Sequence, residues 1–463
     1  MTGLPDGFRL VLDPSVRSFR GGTVLVGGHP GRLITLTADG VGQMEELLAG
    51  GPGSAAGRDL GRRLVDAGMA HPRAGHAAEH AAADGSVTVV VPVRDRILAL
   101  DRCLASVGAG IPVVVVDDAS DDPVAVAEVC RRRGARLIAR TVNGGPGAAR
   151  NDGLAVVGTD LVAFVDSDCT VTAGWLRELT WMFDDPCLGA VAPRVRADPA
   201  APPAAGSGLS RFTGARSALD MGPDRSEVGP DRSVRYVPAA ALVVRRTALA
   251  GGFDPGLRVG EDVDLVWRLL DAGWRVRYEP SAVVWHREPA SWPALLARRY
   301  RYGTSAAPLA TRHPGRLAPV RLRPWPTAAV AAGLAGRPLA ALALMLGHAA
   351  TLARNLRRHG VPPHLALGWS AQSAGWTLVG VGHAATMLAG PALAAGAVRS
   401  RRGATVAALL VLAPPAVDWW RRRPGLDPLR WTAASIADDV AYGAGVWAGC
   451  LRWRSFGPLL PGR

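Results

Sequence analysis

The spacing of hydrophobic residues along this 463-residue chain changes character twice. Over residues 1–80 the apolar positions form short runs, FRLVLD, TVLVG and LITL, set apart by Gly pairs. That pattern predicts small strands followed by two helices around 39–49 and 57–67. From Ser86 the runs are β-branched and stop at polar turns: SVTVVVPVRD, IPVVVVDDAS, ARLIART and LVAFVDSD. Helical stretches at 96–107 and 123–133 lie between them, which predicts an α/β fold with a mostly parallel sheet. Residues 199–232, rich in Pro, Gly and Ser, read as a long loop over the sheet edge. Beyond about Pro324 the chain is apolar in blocks, 327–353, 365–398 and 404–417. The middle block alone has the length, free of formal charge, to span a bilayer, and its Pro391 and glycines predict a break. Two or three membrane-embedded or interfacial helices are expected there. The expected domains are an accessory module at 1–80, a catalytic domain at 86–325 and a helical, membrane-associated region at 326–463, with a linker from Ala74 to Asp84.

Charge sharpens this division. The net charge is +14, and all 53 positive residues are Arg. From Ala290 to Arg463 there are 21 Arg against four Asp or Glu, which leaves −3 for residues 1–289. No charged residue occurs from His359 to Val398. Apolar blocks alternating with arginines fit a membrane with a positive cytoplasmic side and not a nucleic-acid groove, so no nucleic-acid partner is expected. The five cysteines show no CxxC spacing, which argues for a reducing compartment. MTGLPDGFRL lacks the basic start and apolar core of a secretion signal, so the catalytic part is expected at the cytoplasmic face of the membrane.

Candidate chemistry gathers where strands end. Asp166-Ser167-Asp168 follows the apolar run VAFV, and acids spaced i, i+2 point to one side, where a hard cation and diphosphate oxygens can be held. An Asx-rich turn with Asp168 as a cap is the alternative. Ligands bind α/β sheets at the carboxyl ends of strands, where Arg94, Asp95, Asp117 and Asp118 also fall. The segment from Asn143 through GGPGAAR to Asn151 lets backbone approach a nucleotide before a helix begins, and Arg150 is a candidate partner for diphosphate or for an Asp. Glu261 and Asp262, after Gly260 and before the periodic VDLVWRLL, sit at a helix start. They are dipole complements or a general base. His286 ends the strand GWRVRYEPSAVVWH.

Taken in order, VTVVVPVRD, VVVVDDAS, the Asn143 glycine segment, VAFVDSD and GEDVDLVWRL resemble the pattern of glycosyltransferase family 2 over roughly residues 86–290. The resemblance implies a nucleotide-sugar-binding fold of the A type (GT-A), related to the Rossmann fold. It also implies a divalent cation, Mg2+ or Mn2+, held by Asp168 with Asp166 and His286, and a donor pocket of Pro92, Val93, Arg94, Asp95, Asp117, Asp118, Asn143, Arg150, Asp166 and Ser167. Asp166 would meet the ribose, and Asp117 and Asp118 the base, although Asp118 could instead close a turn. The general base falls to Asp262 with Glu261 beside it, giving direct displacement and inversion. Arg298-Arg299-Tyr300-Arg301-Tyr302 stands where processive polysaccharide synthases carry Gln, two spacers, Arg and Trp, and that departure counts against long-chain synthesis. This cluster could stack on the acceptor or cover the donor phosphates.

A further similarity covers nearly the whole chain. LVLDPSVRSFRGGTVLVGGHPGRLITL, SALDMG, YVPAAALVVRR, LRVGEDVDLVWRLLDAGWRVRYEP and YGTSAAPLATRHPG resemble the glycosyltransferases of the mycofactocin system. The N-terminal segment resembles small PqqD-like winged-helix modules. These resemblances imply UDP-glucose as donor, a small peptide-derived redox cofactor precursor as acceptor, and a short β-1,4-linked product.

Overall fold

The computed structural model describes residues 3–51, 53–74, 86–201 and 204–462. Apart from Ala74, the expected linker lies outside the described residues. The chain forms two compact units, Met1–Asp198 with Ser217–Arg287, and Pro199–Arg216 with Glu288–Arg463.

The first unit opens with β1 (Arg9–Leu12), β2 (Arg17–Phe19), β3 (Val24–Gly27), β4 (Arg32–Thr35), α1 (Ala38–Ala49), α2 (Ala55–Asp66) and β5 (Ala70–Arg73). Both helices start where a hydroxyl accepts an otherwise unpaired N–H, Thr37 from Gly40 and Ser54 from Gly57. β1 pairs antiparallel with β5, and β2, β3 and β4 form a small antiparallel sheet. This module shares one hydrophobic core with the large sheet, from Leu64 and Met69 to Trp181 and Val284. A buried fork joins them as well, with Arg62 donating to both oxygens of Asp185 at 2.7 and 2.8 Å.

The large sheet carries β6 (Val87–Val93), β7 (Val113–Asp117), β8 (Arg136–Ala139), β9 (Leu161–Val165), β10 (Cys169–Val171), β11 (Leu188–Ala197), β12 (Ser226–Glu227), β13 (Ala241–Arg245) and β14 (Arg275–His286). Its helices are α3 (Ile97–Val107), α4 (Pro123–Arg133), α5 (Pro146–Ala155), α6 (Trp175–Thr180) and α8 (Glu261–Asp271), α7 belonging to the second unit. The strand order is β10-β14-β11-β13-β9-β6-β7-β8, with β12 beside β14. The expected parallel arrangement holds for β9, β6, β7 and β8, whereas β13 runs antiparallel to both β9 and β11. The reason is the long excursion between β11 and β13, which frees the returning strand to enter from the other end.

That excursion is not the continuous loop expected over 199–232. It holds α7 (Gly208–Ala215), capped by Ser207, whose Leu209 and Phe212 pack in the second unit with Leu295, Leu426 and Trp431. Only tertiary partners give so short a helix a buried face.

The second unit continues with α9 (Trp292–Thr304), α10 (Ala306–Arg312), α11 (Pro324–Leu334), α12 (Pro338–Arg357), α13 (Pro363–Leu388), α14 (Gly390–Arg399), α15 (Arg401–Arg422) and α16 (Pro428–Trp453). Small residues let α9 and α16 touch backbone to backbone, and a Cβ on Gly303 or Gly445 would strike the carbonyl of Tyr442 or Tyr300. Among the described residues two helices, Pro338–Arg357 and Arg401–Arg422, are long and apolar enough to cross a membrane, or three if the bent pair Pro363–Leu388 and Gly390–Arg399 counts as one. The pair bends by 98° next to Pro391, where a break was expected. The two unbroken candidates come from the outer blocks, because their arginines sit at the helix ends and not in the apolar middle.

Candidate active site

Because β6, β7 and β9 run parallel, Val93, Asp117 and Val165 finish at one edge of the sheet. Antiparallel β13 begins there, with Ala241 opposite Val165. The Asp166 N–H therefore donates to the Ala240 carbonyl at 3.0 Å, while the Ala239 N–H donates to Asp262 Oδ2 at 3.2 Å. Gly260, at φ +83, turns the chain into α8 and sets Glu261 and Asp262 in its first turn. Asp262 Oδ1 also accepts the Val263 N–H at 2.8 Å.

Arg150 joins the two acid groups. Its Nη2 donates to Asp166 Oδ1 at 2.6 Å and its Nη1 to Glu261 Oε1 at 2.8 Å, and the guanidinium lies 5.2 Å above the Phe253 ring. α5 packs on the turn at Phe253 and Asp254, where a Cβ on Gly147 would be in ordinary contact, 3.4 Å from both the Asp254 carbonyl and Phe253 Cβ. Asn151 holds the facing turn, donating to the Phe253 carbonyl and accepting its N–H, both at 2.7 Å. Burial works against the guanidinium's charge, but Asp166 and Glu261 outweigh it and hold Arg150 protonated more firmly than a free arginine. Burial in the first place, with Asp262 alongside, pushes Glu261 up to about 7. Asp262 is raised as well, again mainly by burial.

Asp168 sits beyond the end of β9, and its carboxylate pairs with the Arg96 guanidinium. β10 pairs with β14 so that Cys169 faces His286, which brings His286 Nε2 to 3.7 Å from Asp168 Oδ2. Of the three residues expected around a cation, Asp168 and His286 thus lie together, and Asp166 turns to Arg150. Among the described residues no three His, Cys, Asp or Glu side chains gather as a metal-binding group.

On the donor side, Asp117 is buried and shapes a turn, its Oδ1 accepting the Ser120 N–H at 3.0 Å and hydroxyl at 2.5 Å. Asp118, expected near the base, instead holds the glycine segment. Its two oxygens accept the N–H groups of Gly144 at 2.8 Å and Gly145 at 2.7 Å, and Arg140 lies 3.0 Å away. Asp95 adopts φ +56 and accepts the Asp121 N–H at 2.7 Å, with Arg94 Nε 3.2 Å from its other oxygen, and both side chains face solvent. Pro92 and Val93 are buried within β6, and Ser167 is buried between its two acids. Asn143 pairs with Arg258. Arg298 and Arg299, expected to cover acceptor or donor, are used inside the second unit, Arg298 on Glu288 and Arg299 on Asp438 at 2.7 Å. Sequence reading missed Arg96, Arg140, Arg258 and Ser120. The only signal for Arg96 was its place directly after Arg94-Asp95.

Acids thus gather around one buried arginine at the carboxyl edge of the α/β sheet, where such folds bind their ligands. The profile of Glycosyl transferase family 2 matches residues 88–218, and that of Glycosyl transferase family group 2 matches residues 161–397. The chain belongs to glycosyltransferase family 2, and its catalytic fold is GT-A-like. Over its full length it is similar to a pre-mycofactocin glycosyltransferase of Mycobacterium tuberculosis, 37% identical across 99% of this chain and 98% of the relative. The succinoglycan biosynthesis protein ExoO of Rhizobium meliloti is 33% identical over 43% of this chain and 58% of its own length. Among solved structures, a mannosyltransferase from Pyrobaculum calidifontis in complex with GDP-Man and Mn2+ is a distant likeness. It shows 20% identity over 62% of this chain and 84% of that one, at a TM-score of 0.38.

Proposed function

We propose that the protein is an inverting glycosyltransferase that moves glucose from UDP-glucose to a small peptide-derived redox cofactor precursor, building a short β-1,4-linked chain. The observation that carries the reading is Arg150, which ties the donor-side Asp166 to the acceptor-side Glu261-Asp262 pair within one site. The full-length identity to a pre-mycofactocin glycosyltransferase supports the acceptor.

In this reading Asp262 takes the proton of the acceptor hydroxyl as that oxygen attacks the anomeric carbon. The bond from that carbon to the diphosphate breaks on the opposite face, and the diphosphate leaves with the electron pair. Glu261 anchors Arg150 and, through it, Asp166, whose free oxygen faces the ribose. Asp117 with Ser120 shapes the base pocket, and Asp118 with Asn143 keeps the glycine segment in place. A divalent cation, Mg2+ or Mn2+, fits beside Asp168 and His286. A carboxylate and an imidazole suit such an ion when phosphate oxygens and water complete its shell. Bound there, it supplies a Lewis acid to the departing diphosphate.

The domain assignment belongs to the same proposal: a PqqD-like accessory module at 1–80, the catalytic domain at 86–325 and a membrane-associated helical region at 326–463, on the cytoplasmic face. The test is UDP release from UDP-glucose with Mg2+ or Mn2+, with mass spectrometry of the product, for wild type, Asp168→Ala and Asp262→Asn. Unchanged turnover in both variants sinks the site assignment. The apolar helices favour a second reading, transfer to a membrane lipid or polysaccharide acceptor. It predicts labelled sugar in the organic phase when full-length protein is given membrane lipids.

A further inference from the structure

We propose that the apolar helices of the second unit lie within one leaflet of an anionic phospholipid membrane and do not cross it. This rests on the membrane-association reading above and adds its geometry and its lipid.

The protein leaves the two long apolar helices uncovered. Only 6% of the apolar window of α12 and 17% of that of α15 is buried, so something outside this unit must shield them. The residues around them point to lipid. Exposed Trp325, Trp376, Trp420, Trp447 and Trp453 are the amphipathic rings that settle at headgroup level.

Arginines stand at every end of these helices, all of them exposed. Arg337 precedes α12, and Arg354, Arg357 and Arg358 lead out of it. Arg399, Arg401 and Arg402 join α14 to α15, and Arg421, Arg422 and Arg423 close α15. No Asp or Glu occurs from Ala290 to Val417 to offset them. If α12, the bent pair or α15 crossed the bilayer, arginines would stand in short turns on both faces, against the bias that orients spanning helices. If all the helices stay on one side, every arginine faces the same headgroups. Anionic headgroups then complement the excess.

One contact speaks against an upright arrangement directly. The Arg421 guanidinium lies 4.5 Å over the ring of Trp376, in the middle of the 26-residue α13. At about 1.5 Å per residue such a helix is roughly 39 Å long. Standing upright across a bilayer, it would carry Arg421 to the hydrocarbon centre, where a guanidinium has neither water nor phosphate. Lying along the interface, the same pair sits at headgroup depth, where a cation on an indole is at home.

The test uses the full-length chain. Flotation is expected with vesicles of phosphatidylglycerol in phosphatidylcholine, with loss of binding in phosphatidylcholine alone or at raised salt. Replacing Arg399, Arg401 and Arg402 by Gln should lower partitioning about a hundredfold. Topology is read in cells with a membrane-impermeant maleimide, on a Cys187→Ser background, with Arg358→Cys, Arg401→Cys and Leu429→Cys. Arg399→Cys serves the middle turn if Arg401→Cys does not fold, and Val124→Cys on α4 marks the side of the catalytic unit. All should label in inverted vesicles and none in intact spheroplasts. Outside labelling of any turn, with Val124→Cys protected, overturns the one-leaflet proposal and leaves membrane association standing. Equal flotation with and without phosphatidylglycerol overturns the anionic-lipid part. No flotation with either vesicle overturns the membrane reading itself.

Discussion

Arg150 and Arg216 are both drawn into groups of acids, one at the edge of the catalytic sheet and the other among the helices of the second unit. Around Arg150 lie Asp166, Glu261 and Asp262, so the acids outnumber the bases, and Asp166 keeps 32% of its side chain exposed. Around Arg216 lie Asp439 at 2.5 Å, Asp438 at 3.6 Å and Asp418 at 3.8 Å. Arg299 joins this group through Asp438 at 2.7 Å and His383 through Asp439 at 2.9 Å, and the Asp438 and Asp439 side chains are only 5% and 7% exposed. The second cluster is balanced, with Arg216, Arg299 and Arg422, which lies 3.4 Å from Asp418, for three carboxylates. The first is open and short of positive charge. Buried charge by itself therefore does not mark a site; an uncompensated cluster that reaches solvent does, because it still has partners to take up.

The widest separation between the two clusters should be in turnover. Asp262→Asn is expected to lower kcat by about 10²–10⁴-fold, the usual worth of a general base, while Asp439→Asn leaves kcat within a few-fold. UDP release measures both, and equal losses would erase the distinction drawn here. In stability the clusters should differ too. Arg150→Met leaves the buried Glu261 carboxylate without its partner, at a cost of about 3–5 kcal/mol read from denaturation midpoints, whereas Arg216→Met should cost less because Asp438, Asp439 and Asp418 keep Arg299, His383 and Arg422.

Packing gives a smaller contrast. A Cβ on Gly153 would strike the buried Val90 side chain, whereas one on Gly443 would strike the backbone carbonyl of Met387, which has still less room to yield. Gly443→Ala should cost more than Gly153→Ala within a range of about 1–3 kcal/mol, checked by thermal melting. The last effect is that of pH. Glu261 is raised from 4.5 to about 7, so the folded protein binds a proton that the unfolded chain has released. That contribution is complete below about pH 4.5 and is lost as pH rises through about 7, so stability should decline across this window. Melting curves of Glu261→Gln should lack the decline.

Much of the first unit was legible because its signals are local. Asp117 and Asp166 follow β-branched runs that stop at polar residues, and Glu261-Asp262 follows a glycine and precedes a helical period, so their places at strand and helix ends could be read directly. The role of Asp118 could not. Its two oxygens hold the N–H groups of Gly144 and Gly145, a pairing 26 and 27 residues away that no local pattern encodes. The same holds for Arg96 on Asp168, and for Arg298 and Arg299, which look like site residues in sequence and are used inside the second unit.

By itself, the sequence determined the alternation of strands and helices, the acids at strand ends, the break beside Pro391 and the gathering of arginine in the last third. These follow from backbone propensity and from the distribution of polar positions, which act over a few residues. Tertiary structure decided the antiparallel entry of β13, the folding of α7 and the bridging of Asp166 to Glu261 by Arg150. Each depends on which distant backbone stands opposite, and that is set by the register of a mixed sheet and the packing of helices far apart in the chain.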